Sequence, residues 1–513
     1  MHHILCGLAA NPALPSETVD RLTAVADDDI AFHLAGRADL SRAQAAALVA
    51  RVRGSAARLA AEGRLTAADI DPRTRPDAAL ALLDEGIGPP EWARLLATDP
   101  AGERREKLAA CPGLPSDVVE RLAADPEVRV VVELALWAPA NTAAGLATHP
   151  HAEVRRAVAA NESTPPATLA ALLTGVGLPA PRHCAVCDQH ETPFVHAPQC
   201  PRPDCHLPPG ASCDGSHASA VHHIREAALR NPTTPTEAAA PFADHPSALL
   251  RWALAGRPDL PPKVCASLAE DPVPGIRADL AENPAIDDAL IRVLADDRDP
   301  AVRRALAQHP RVPLDVLAHL ARTTRIGPTL LPRIATASPA ETEQLATSPD
   351  PSTRMLVARR RDLPAHVRDR LADDPDAKVL KSIAPHPGLT EQQLRTMVAR
   401  HGARVLTAVA ANPGTPPALL EDLTRHRPPV RKVLREVARH PRATATALLA
   451  CLADDQSRPI AAAHPSLPPP VVLHLLNDPN HQVAEAAAAN PSLPPAAMSH
   501  IMGPVPGPPT GAP

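Results

Sequence analysis

The sequence predicts an all-α fold built from about 18 short two-helix repeats of about 26 residues. A turn that contains Asn-Pro or His-Pro recurs along the chain at a nearly constant interval. Apolar residues make up 45% of the chain and aromatic residues only 1%, so any core consists of small aliphatic contacts between closely stacked helices. The 64 prolines, against 22 glycines, interrupt stretches of good helix formers and keep each helix short.

The interval is read from the residue two places after the proline of each turn, which we use as a marker. In the later part of the chain the markers lie 24 to 28 residues apart. These markers are Thr234, Leu260, Ile286, Val312, Ser338, Leu363, Leu389, Thr415, Ala443, Leu467 and Leu493. A looser series precedes them at Leu14, Leu40, Leu65, Ile87, Leu114, Asn141 and Thr164. Repeats therefore account for nearly all of the chain outside one insert.

The prolines within a unit mark the places where helices begin. Pro313 suits the first helical position, where a missing N–H is not needed, and apolar residues follow it along one helical face. Asp299 is a predicted N-cap before Pro300 at the start of the next helix. The same start signal is predicted at Asp125-Pro126, Asp271-Pro272, Asp350-Pro351, Asp374-Pro375 and Asp478-Pro479. Helices this short are marginal alone, so each must gain stability by packing against neighbouring units.

These units resemble the leucine-rich repeat variant family, whose repeats look like PDPEVRRAVAANPNTPPELLAALA. The segments 150–161 and 299–320 are similar to that pattern, and the resemblance covers about nine-tenths of the chain. It implies a right-handed α-solenoid, related to HEAT-like repeats, in which an α-helix alternates with a shorter, often 3₁₀, helix.

Four regions are expected along the chain. Residues 1–173 form an N-terminal array of about seven units, and residues 221–502 form a C-terminal array of about eleven. Between them, residues 174–220 form an irregular insert that is rich in cysteine and histidine. The Pro- and Gly-rich tail 503–513 is predicted to be disordered.

The insert holds five of the nine cysteines, in a C-x₂-C-x₁₂-C-x₄-C-x₇-C series. Histidines lie around them at His183, His190, His196, His206 and His217. Four thiolates that arrive as two close pairs can surround one metal ion, and a loop so poor in apolar residues has little else to fold around. The predicted metal ligands are Cys184, Cys187, Cys200, Cys205, Cys213 and His217. The isolated Cys6, Cys111, Cys265 and Cys451 are instead predicted to be small buried residues of the repeats.

Two metal centres are compatible with the insert. The pairs Cys184/Cys187 and Cys200/Cys205 are typical of a zinc ribbon, although one pair has four intervening residues.

An iron–sulfur cluster is indicated by resemblance. Some leucine-rich repeat variant proteins carry a four-cysteine iron–sulfur cluster beside their repeats. The segment from Cys213 to His217 spells the pentapeptide of the CDGSH iron–sulfur family, in which that cysteine and that histidine bind iron. The C-x-C and the proline that precede the motif in that family are here Arg202, Asp204 and Ala211, so Cys213 and His217 rank behind the two cysteine pairs. Zinc and iron–sulfur both stay open.

No enzyme class is indicated, because the sequence lacks Walker-type, dinucleotide-binding, zincin and nucleophile-elbow motifs. Carboxylates such as Asp299 and Asp374 are interpreted as helix caps. The histidines that precede proline are interpreted as turn residues, namely His149, His309, His386, His440 and His464.

Arginines recur beside an apolar residue of each unit and are the candidate partner-binding residues. They are Arg129, Arg155, Arg156, Arg277, Arg303, Arg304, Arg354 and Arg431. One interpretation is that they pair with acidic residues of neighbouring units. The other is that they form a basic ladder for an acidic protein segment or a nucleic acid, the latter less favoured because aromatic residues for base stacking are scarce.

Charge and hydropathy restrict the partners. A formal net charge of -5 and a pI near 6.6 favour neither nucleic acid nor an anionic membrane. The chain has no apolar run of membrane-spanning length and no convincing signal peptide, so a cytoplasmic location is expected. The leading hypothesis is a non-enzymatic scaffold that binds a protein partner, with a metal-stabilised insert. The alternatives are an iron–sulfur redox or metal-responsive regulator and, more weakly, a nucleic-acid-binding protein.

Overall fold

The computed structural model describes residues 1–189, 193–200, 205 and 207–502. Within these residues the chain forms 35 short α-helices and a single two-stranded β-ribbon. The prediction of an all-α array of short helical repeats, interrupted by a cysteine-rich insert, is confirmed. The tail 503–513, His190 and His206 lie outside the described residues.

The helices are between 4 and 13 residues long. The first are α1 His2–Ala10, α2 Ser16–Val25, α3 Asp28–Ala35, α4 Arg42–Arg51 and α5 Ser55–Ala61. Those before the insert are α6 Pro76–Asp84, α7 Pro90–Leu96, α8 Gly102–Ala110, α9 Ser116–Ala123, α10 Val128–Trp137, α11 Ala140–Leu146, α12 Ala152–Ala160 and α13 Pro166–Thr174. The next are α14 Ala218–Arg230, α15 Thr236–Ala239, α16 Ala248–Ala255, α17 Pro262–Ala269, α18 Pro274–Glu282, α19 Asp288–Ala295, α20 Pro300–Leu306 and α21 Leu314–Thr323.

The remaining helices are α22 Pro332–Ala335, α23 Pro339–Ala346, α24 Pro351–Val357, α25 Ala365–Ala372, α26 Ala377–Ile383, α27 Glu391–His401, α28 Leu406–Ala410, α29 Pro417–Thr424, α30 Arg431–Arg439, α31 Ala445–Cys451, α32 Arg458–Ala462, α33 Pro469–Leu475, α34 His481–Ala488 and α35 Pro495–Ile501. The strands are β1 Phe194–Val195 and β2 Ser212–Cys213. Short 3₁₀ helices occur at Ala67–Asp69, Cys187–Gln189, Ala240–Asp244 and Gly402–Arg404, so among the described residues the alternating 3₁₀ helix implied by the resemblance is not general. No described helix has both the length and the apolar character needed to cross a bilayer.

The chain packs as two compact units. The central unit is Ile70–Ile326, and the outer unit consists of Met1–Asp69 together with the chain from Gly327 onward. The central unit contains the insert. This division follows packing, whereas the predicted boundaries at residues 173 and 221 follow the repeat sequence.

Alternate helices of the central unit stack on one another. α10 packs against α8 and α12, α12 packs against α14, and α18 packs against α20. Each buries a stripe of alanine and β-branched or leucine residues, as in α12, where Val154, Ala157 and Val158 are fully buried. The helices are therefore stabilised by neighbouring units, as expected for repeats.

The predicted N-caps are right in two cases and wrong in four. The carboxylates of Asp299 and Asp350 accept hydrogen bonds from the first-turn N–H groups of α20 and α24. Four others lie two residues before the true N-cap: Asp125, Asp271, Asp374 and Asp478. Asp374 instead accepts from the N–H of Asp376 and pairs with Arg354 of the preceding unit. These aspartates join units and do not cap helices.

The Asn-Pro turn also joins units. The Asn412 side chain accepts from the N–H of Gly414 and donates to the carbonyls of Ala384 and His386, at 2.6 and 2.7 Å. Paired donation to two carbonyls of another unit recurs at Asn11, Asn161, Asn231, Asn283 and Asn490. All are almost completely buried.

Histidine substitutes for asparagine at this position. The Nδ1 atom of His440 accepts from the N–H of Arg442, and its Nε2 atom lies 2.9 Å from the carbonyl oxygen of Asn412. His309 and His464 make the same two contacts. His149 and His386 likewise accept a hydrogen bond from the N–H two residues on. The interpretation of these histidines as turn residues is confirmed.

The first repeat of the outer unit stacks on the last one. α1 packs against α34, and the Asn11 side chain donates to the carbonyls of Ala488 and Asn490 at 2.9 and 2.7 Å. These are the hydrogen bonds that join consecutive units elsewhere, so α1 follows α34 in the stack.

Candidate metal centre and partner surface

The insert is organised by its β-ribbon. β1 and β2 are antiparallel, with Phe194 opposite Cys213 and Val195 opposite Ser212. Phe194 is buried, and β2 leads directly into the first turn of α14. The ribbon therefore gives fixed positions to the chemically active residues on either side of it.

Four predicted ligands meet at one point. The Sγ atom of Cys184 lies 3.6 Å from that of Cys187 and 3.7 Å from that of Cys213. The Nδ1 atom of His217 lies 3.7 Å from the sulfur of Cys187 and 3.6 Å from that of Cys213. All four ligand atoms are within 4.8 Å of one another. We call these residues the first cluster.

The turn from Cys213 to His217 explains how this pentapeptide supplies two ligands. Gly215 has φ of 90°, a conformation that favours glycine, and its N–H points to the sulfur of Cys213 at 3.4 Å. Asp214 accepts hydrogen bonds from the N–H and hydroxyl of Ser216. His217 itself has φ of 54°, which is rare for a residue with a Cβ atom. The turn thus aims the sulfur and the imidazole at the same point.

The backbone also favours charged sulfur in the first cluster. The N–H of Cys184 points to the sulfur of Cys187 at 3.3 Å, and the N–H of Cys187 points to the sulfur of Cys184 at 3.5 Å. Burial nevertheless raises the pKa of the Cys187 thiol to about 12. Without a metal ion this sulfur stays protonated at neutral pH, and a bound cation would displace the proton.

A carboxylate ties the first cluster to the repeats. Asp188, next to Cys187, lies 3.2 Å from Nε2 of His151 at the start of α12 and 3.2 Å from Nδ1 of His183. The carbonyl of His183 also accepts from the N–H of Ala152. Because α12 is stacked between α10 and α14, the metal-ligating turn rests on a rigid support.

The other two predicted cysteines lie elsewhere. Cys200 and Cys205 gather with His196, which follows β1, and the three ligand atoms are within 4.8 Å of one another. We call these residues the second cluster. The spacing predicts that Cys200 and Cys205 share one metal site with Cys184 and Cys187. In the structure, Cys184 and Cys187 instead lie with Cys213 and His217, and Cys200 and Cys205 lie with His196. His196 was not among the predicted ligands.

Both clusters could hold a metal ion, and all nine cysteines are free thiols. The four isolated cysteines are buried as predicted. Burial raises the pKa of Cys6 to about 11 and those of Cys111 and Cys451 to about 12. Such thiols are inert, and none of the four isolated cysteines belongs to a group of possible metal ligands among the described residues.

The arginines of the predicted ladder do not occupy one equivalent position in their repeats. In one column the guanidinium is buried and bonds a carboxylate of the next unit. Arg277 donates to both oxygens of Asp297 at 2.7 and 2.9 Å and to the carbonyl of Asp271. The equivalent pairs are Arg105–Asp125, Arg251–Asp271, Arg354–Asp374 and Arg458–Asp478. Arg155 and Arg303 occupy the same position and donate mainly to backbone carbonyls.

Arg105, Arg251 and Arg458 belong to this column as well but were not among the predicted arginines. The signal that finds them is the buried apolar residue three places later, Leu108, Leu254 or Ala461. Although burial alone would raise the pKa of the Asp297 carboxyl, the guanidinium of Arg277 and the N–H of Asp299 hold it below its usual value. These arginines join units and are not free to bind a partner.

The next residue along each helix faces outward. Arg156, Trp252 and Arg304 share one position, two residues before a fully buried apolar residue. The Arg156 side chain is 43% exposed and Trp252 is 37% exposed. They lie on α12, α16 and α20, which belong to one row of stacked helices. We call these three residues the exposed column.

Two predicted arginines belong to neither column. Arg129 lies in the first turn of α10 and pairs with Glu127 at 2.7 Å. Arg431 begins α30 of the outer unit and approaches Asp454 at 3.5 Å. The predicted ladder is thus not one continuous line.

No protein-family model matches the chain, and neither does any curated protein. Among solved structures, the chain is similar to a leucine-rich repeat variant with a novel repetitive structural motif, with 19% identity over 53% of this chain and 87% of that one and a TM-score of 0.29. It is also similar to an engineered protein, with 15% identity, coverage of 94% and 93% and a TM-score of 0.13. A third similarity is to the Pds5–Scc1 complex, with 14% identity, coverage of 92% and 63% and a TM-score of 0.13.

Proposed function

We propose that this chain is a non-enzymatic scaffold that binds a protein partner on its central unit, and that the first cluster of its insert holds one zinc ion. The observation that carries the scaffold proposal is the exposed column of Arg156, Trp252 and Arg304. It lies on three helices of the stacked row in the central unit.

Tryptophan and arginine are the residues that dominate the energy of protein interfaces. The chain has only three tryptophans, and two of them are exposed, Trp137 by 64% and Trp252 by 37%. Trp252 is held in place because its indole N–H donates to the Asp279 carboxylate at 2.6 Å.

Arg156 and Arg304 lie two helices away from Trp252 along the row, with Glu226 of α14 and Ala278 of α18 at the equivalent positions between them. An exposed aromatic ring and separated arginines along one row suit an extended partner segment that carries both apolar and acidic side chains.

Nucleic-acid binding is the weaker candidate. The buried arginine column is neutralised by aspartates of neighbouring units, which leaves less positive charge for phosphates. We expect no binding of duplex DNA at about 50 mM salt, where phosphate contacts are strong. Binding that weakens steeply with added salt would favour nucleic acid instead.

The distances in the first cluster support zinc. Tetrahedral zinc with Zn–S near 2.3 Å and Zn–N near 2.0 Å places sulfur atoms about 3.8 Å apart and sulfur and nitrogen about 3.6 Å apart. The four separations measured above are 3.6 or 3.7 Å. A cluster of several irons distributes its ligands over different metal atoms and separates them further.

The iron–sulfur redox alternative has a direct test. We expect protein purified without oxygen to be colourless and to contain zinc at the first cluster. Visible absorption that bleaches on reduction, together with iron and sulfide, would favour the redox regulator and refute zinc.

The partner surface is tested by affinity capture from native extract, with bound proteins quantified for each variant. Trp252→Ala combined with Arg156→Glu should reduce the captured partner by at least about tenfold. Arg322→Glu, an exposed arginine on α21, is the matched control and should capture as much as the natural chain. Equal capture by all three would refute this surface.

A further inference from the structure

The second cluster consists of His196, which directly follows β1, and of Cys200 and Cys205, which come later in the chain and before β2. His196 is fixed because its N–H donates to the carbonyl of Ala211 at 2.8 Å, and its own carbonyl accepts from Gly210 at 3.0 Å. Its Nε2 atom lies 3.1 Å from the sulfur of Cys205. Cys200 brings a second sulfur within 4.8 Å of both other ligand atoms.

The environment of His196 points to a ligand. The residue is 6% exposed, and its Nδ1 atom is buried without a hydrogen-bond partner among the described residues. Coordination through Nε2, the nitrogen that faces the Cys205 sulfur, would leave the proton of the neutral ring on Nδ1. The ring also packs near Phe194, with centroids 6.1 Å apart, so it cannot simply turn to solvent without disturbing the ribbon.

The two clusters use different ligands, although both take residues from one short ribbon. Cys213 of β2 belongs to the first cluster, whereas His196, which directly extends β1, belongs to the second. Two thiolates and an imidazole form a donor set that selects zinc or a similarly soft ion over magnesium or calcium.

We infer that His196, Cys200 and Cys205 form a second metal site that takes Zn²⁺, so that the insert holds two zinc ions per chain. This inference does not depend on the partner surface. The total of two ions rests on the zinc proposed for the first cluster, whereas the second site does not, because its three described ligands are not shared with the first cluster.

The test is metal content by elemental analysis, together with titration of the metal-free full chain with Co²⁺, whose thiolate complexes absorb visible light. The natural chain should bind two equivalents. Cys205→Ser and His196→Ala should each bind one, and His196→Cys should restore the second because it replaces one zinc ligand with another. Cys213→Ser should lose the other equivalent and keep the site on His196.

Controls separate a lost site from a lost fold. Cys265→Ser changes a buried cysteine of α17 and should keep two equivalents. The second site would be overturned, and the first supported, by the following result. The natural chain binds one equivalent of Co²⁺, Cys213→Ser binds none, and Cys205→Ser still binds one. If the natural chain binds one equivalent of Co²⁺ and both Cys213→Ser and Cys205→Ser bind none, the cysteines form a single shared site and the inference is also overturned. Helix content measured by circular dichroism must stay constant in every variant compared.

Discussion

In the repeats one side chain, such as Asn412, joins two units through two hydrogen bonds, whereas the insert brings seven side chains together in two clusters that could each hold a metal ion. Each unit of the repeats buries apolar stripes, but described residues of the insert such as Val195 are largely exposed. The difference shows two sources of stability in one chain. Repeats gain it from similar neighbours, and on the function proposed above the insert would gain it from bound ions.

Removal of a ligand from the first cluster should have the largest effect of all. A structural zinc site contributes an apparent 10–16 kcal/mol in small zinc domains, roughly all that such a loop needs to fold. In Cys187→Ser, we expect amide hydrogen exchange of residues 183–189 and 212–217, which carry the first cluster, to approach that of an unfolded chain. Exchange in α18 and α20 should stay slow. If the insert keeps its protection, the comparison between the two regions fails.

Loss of a buried arginine should have the next largest effect. Arg277→Ala leaves the Asp297 carboxylate buried and unpaired, since the two side chains are 5% and 8% exposed. We expect a loss of about 3–5 kcal/mol in the free energy of unfolding by urea. Arg304→Ala, in the exposed column, should change it by less than about 0.5 kcal/mol. Similar losses in both variants would show that the two columns do not differ as described.

Loss of the turn asparagine should cost less. Asn412→Ala removes two donors from buried carbonyls, and we expect a loss of about 2–3 kcal/mol in the free energy of unfolding. Asn412→His should recover most of this, because His440 and His464 fill the same position in other units. A histidine variant as unstable as the alanine variant would show that the two residue types are not equivalent.

The smallest effect should appear only with acid. Burial lowers the pKa of His309 and His464, more than the backbone hydrogen bonds to their imidazoles raise it. Below the ordinary histidine pKa of about 6.5 the unfolded chain therefore takes up protons first, and the folded chain loses stability as the pH falls.

The double variant His309→Asn and His464→Asn should lose less stability between about pH 7 and pH 5 than the natural chain. Urea unfolding at both pH values measures this, with Arg304→Ala as the control. Below about pH 4 both chains should weaken further, because Asp125, Asp271 and Asp297 have lowered pKa values and lose their arginine pairs on protonation. An identical loss between pH 7 and pH 5 in both chains would contradict the histidine assignment.

The repeats could be predicted because the same positions return in each unit, so one unusual unit does not obscure the register. The turns at Asn412 and His440 were found in this way. What they bond could not be predicted, since their partners are carbonyls about one unit away in sequence. The Asp-Pro signal misled for Asp374 because a carboxylate before proline serves equally well as a cap or as the acceptor of Arg354.

The sequence predicted most of the candidate metal ligands, but it did not predict which of them lie together. Cysteine spacing located the candidate metal-binding segment, yet it grouped the pair Cys184/Cys187 with the pair Cys200/Cys205 because two close pairs are typical of zinc ribbons. In the structure the β-ribbon brings Cys213 beside Cys184, and His196 lies next to Cys205. A two-residue strand has almost no sequence signature, so this arrangement emerges only in three dimensions.

The stacking of α1 on α34 has a consequence for synthesis on the ribosome. Most helices find their neighbour within about one repeat, but Asn11 bonds carbonyls 477 and 479 residues further on. At about 5–20 residues per second, translation takes roughly half a minute or more to deliver that partner. Until then Leu8 and Ala9 on α1, both 0% exposed in the finished chain, have no partner on one side. Although α1 emerges long before α34, its packing is completed only when α34 arrives, and the nascent chain must stay free of aggregation throughout that interval.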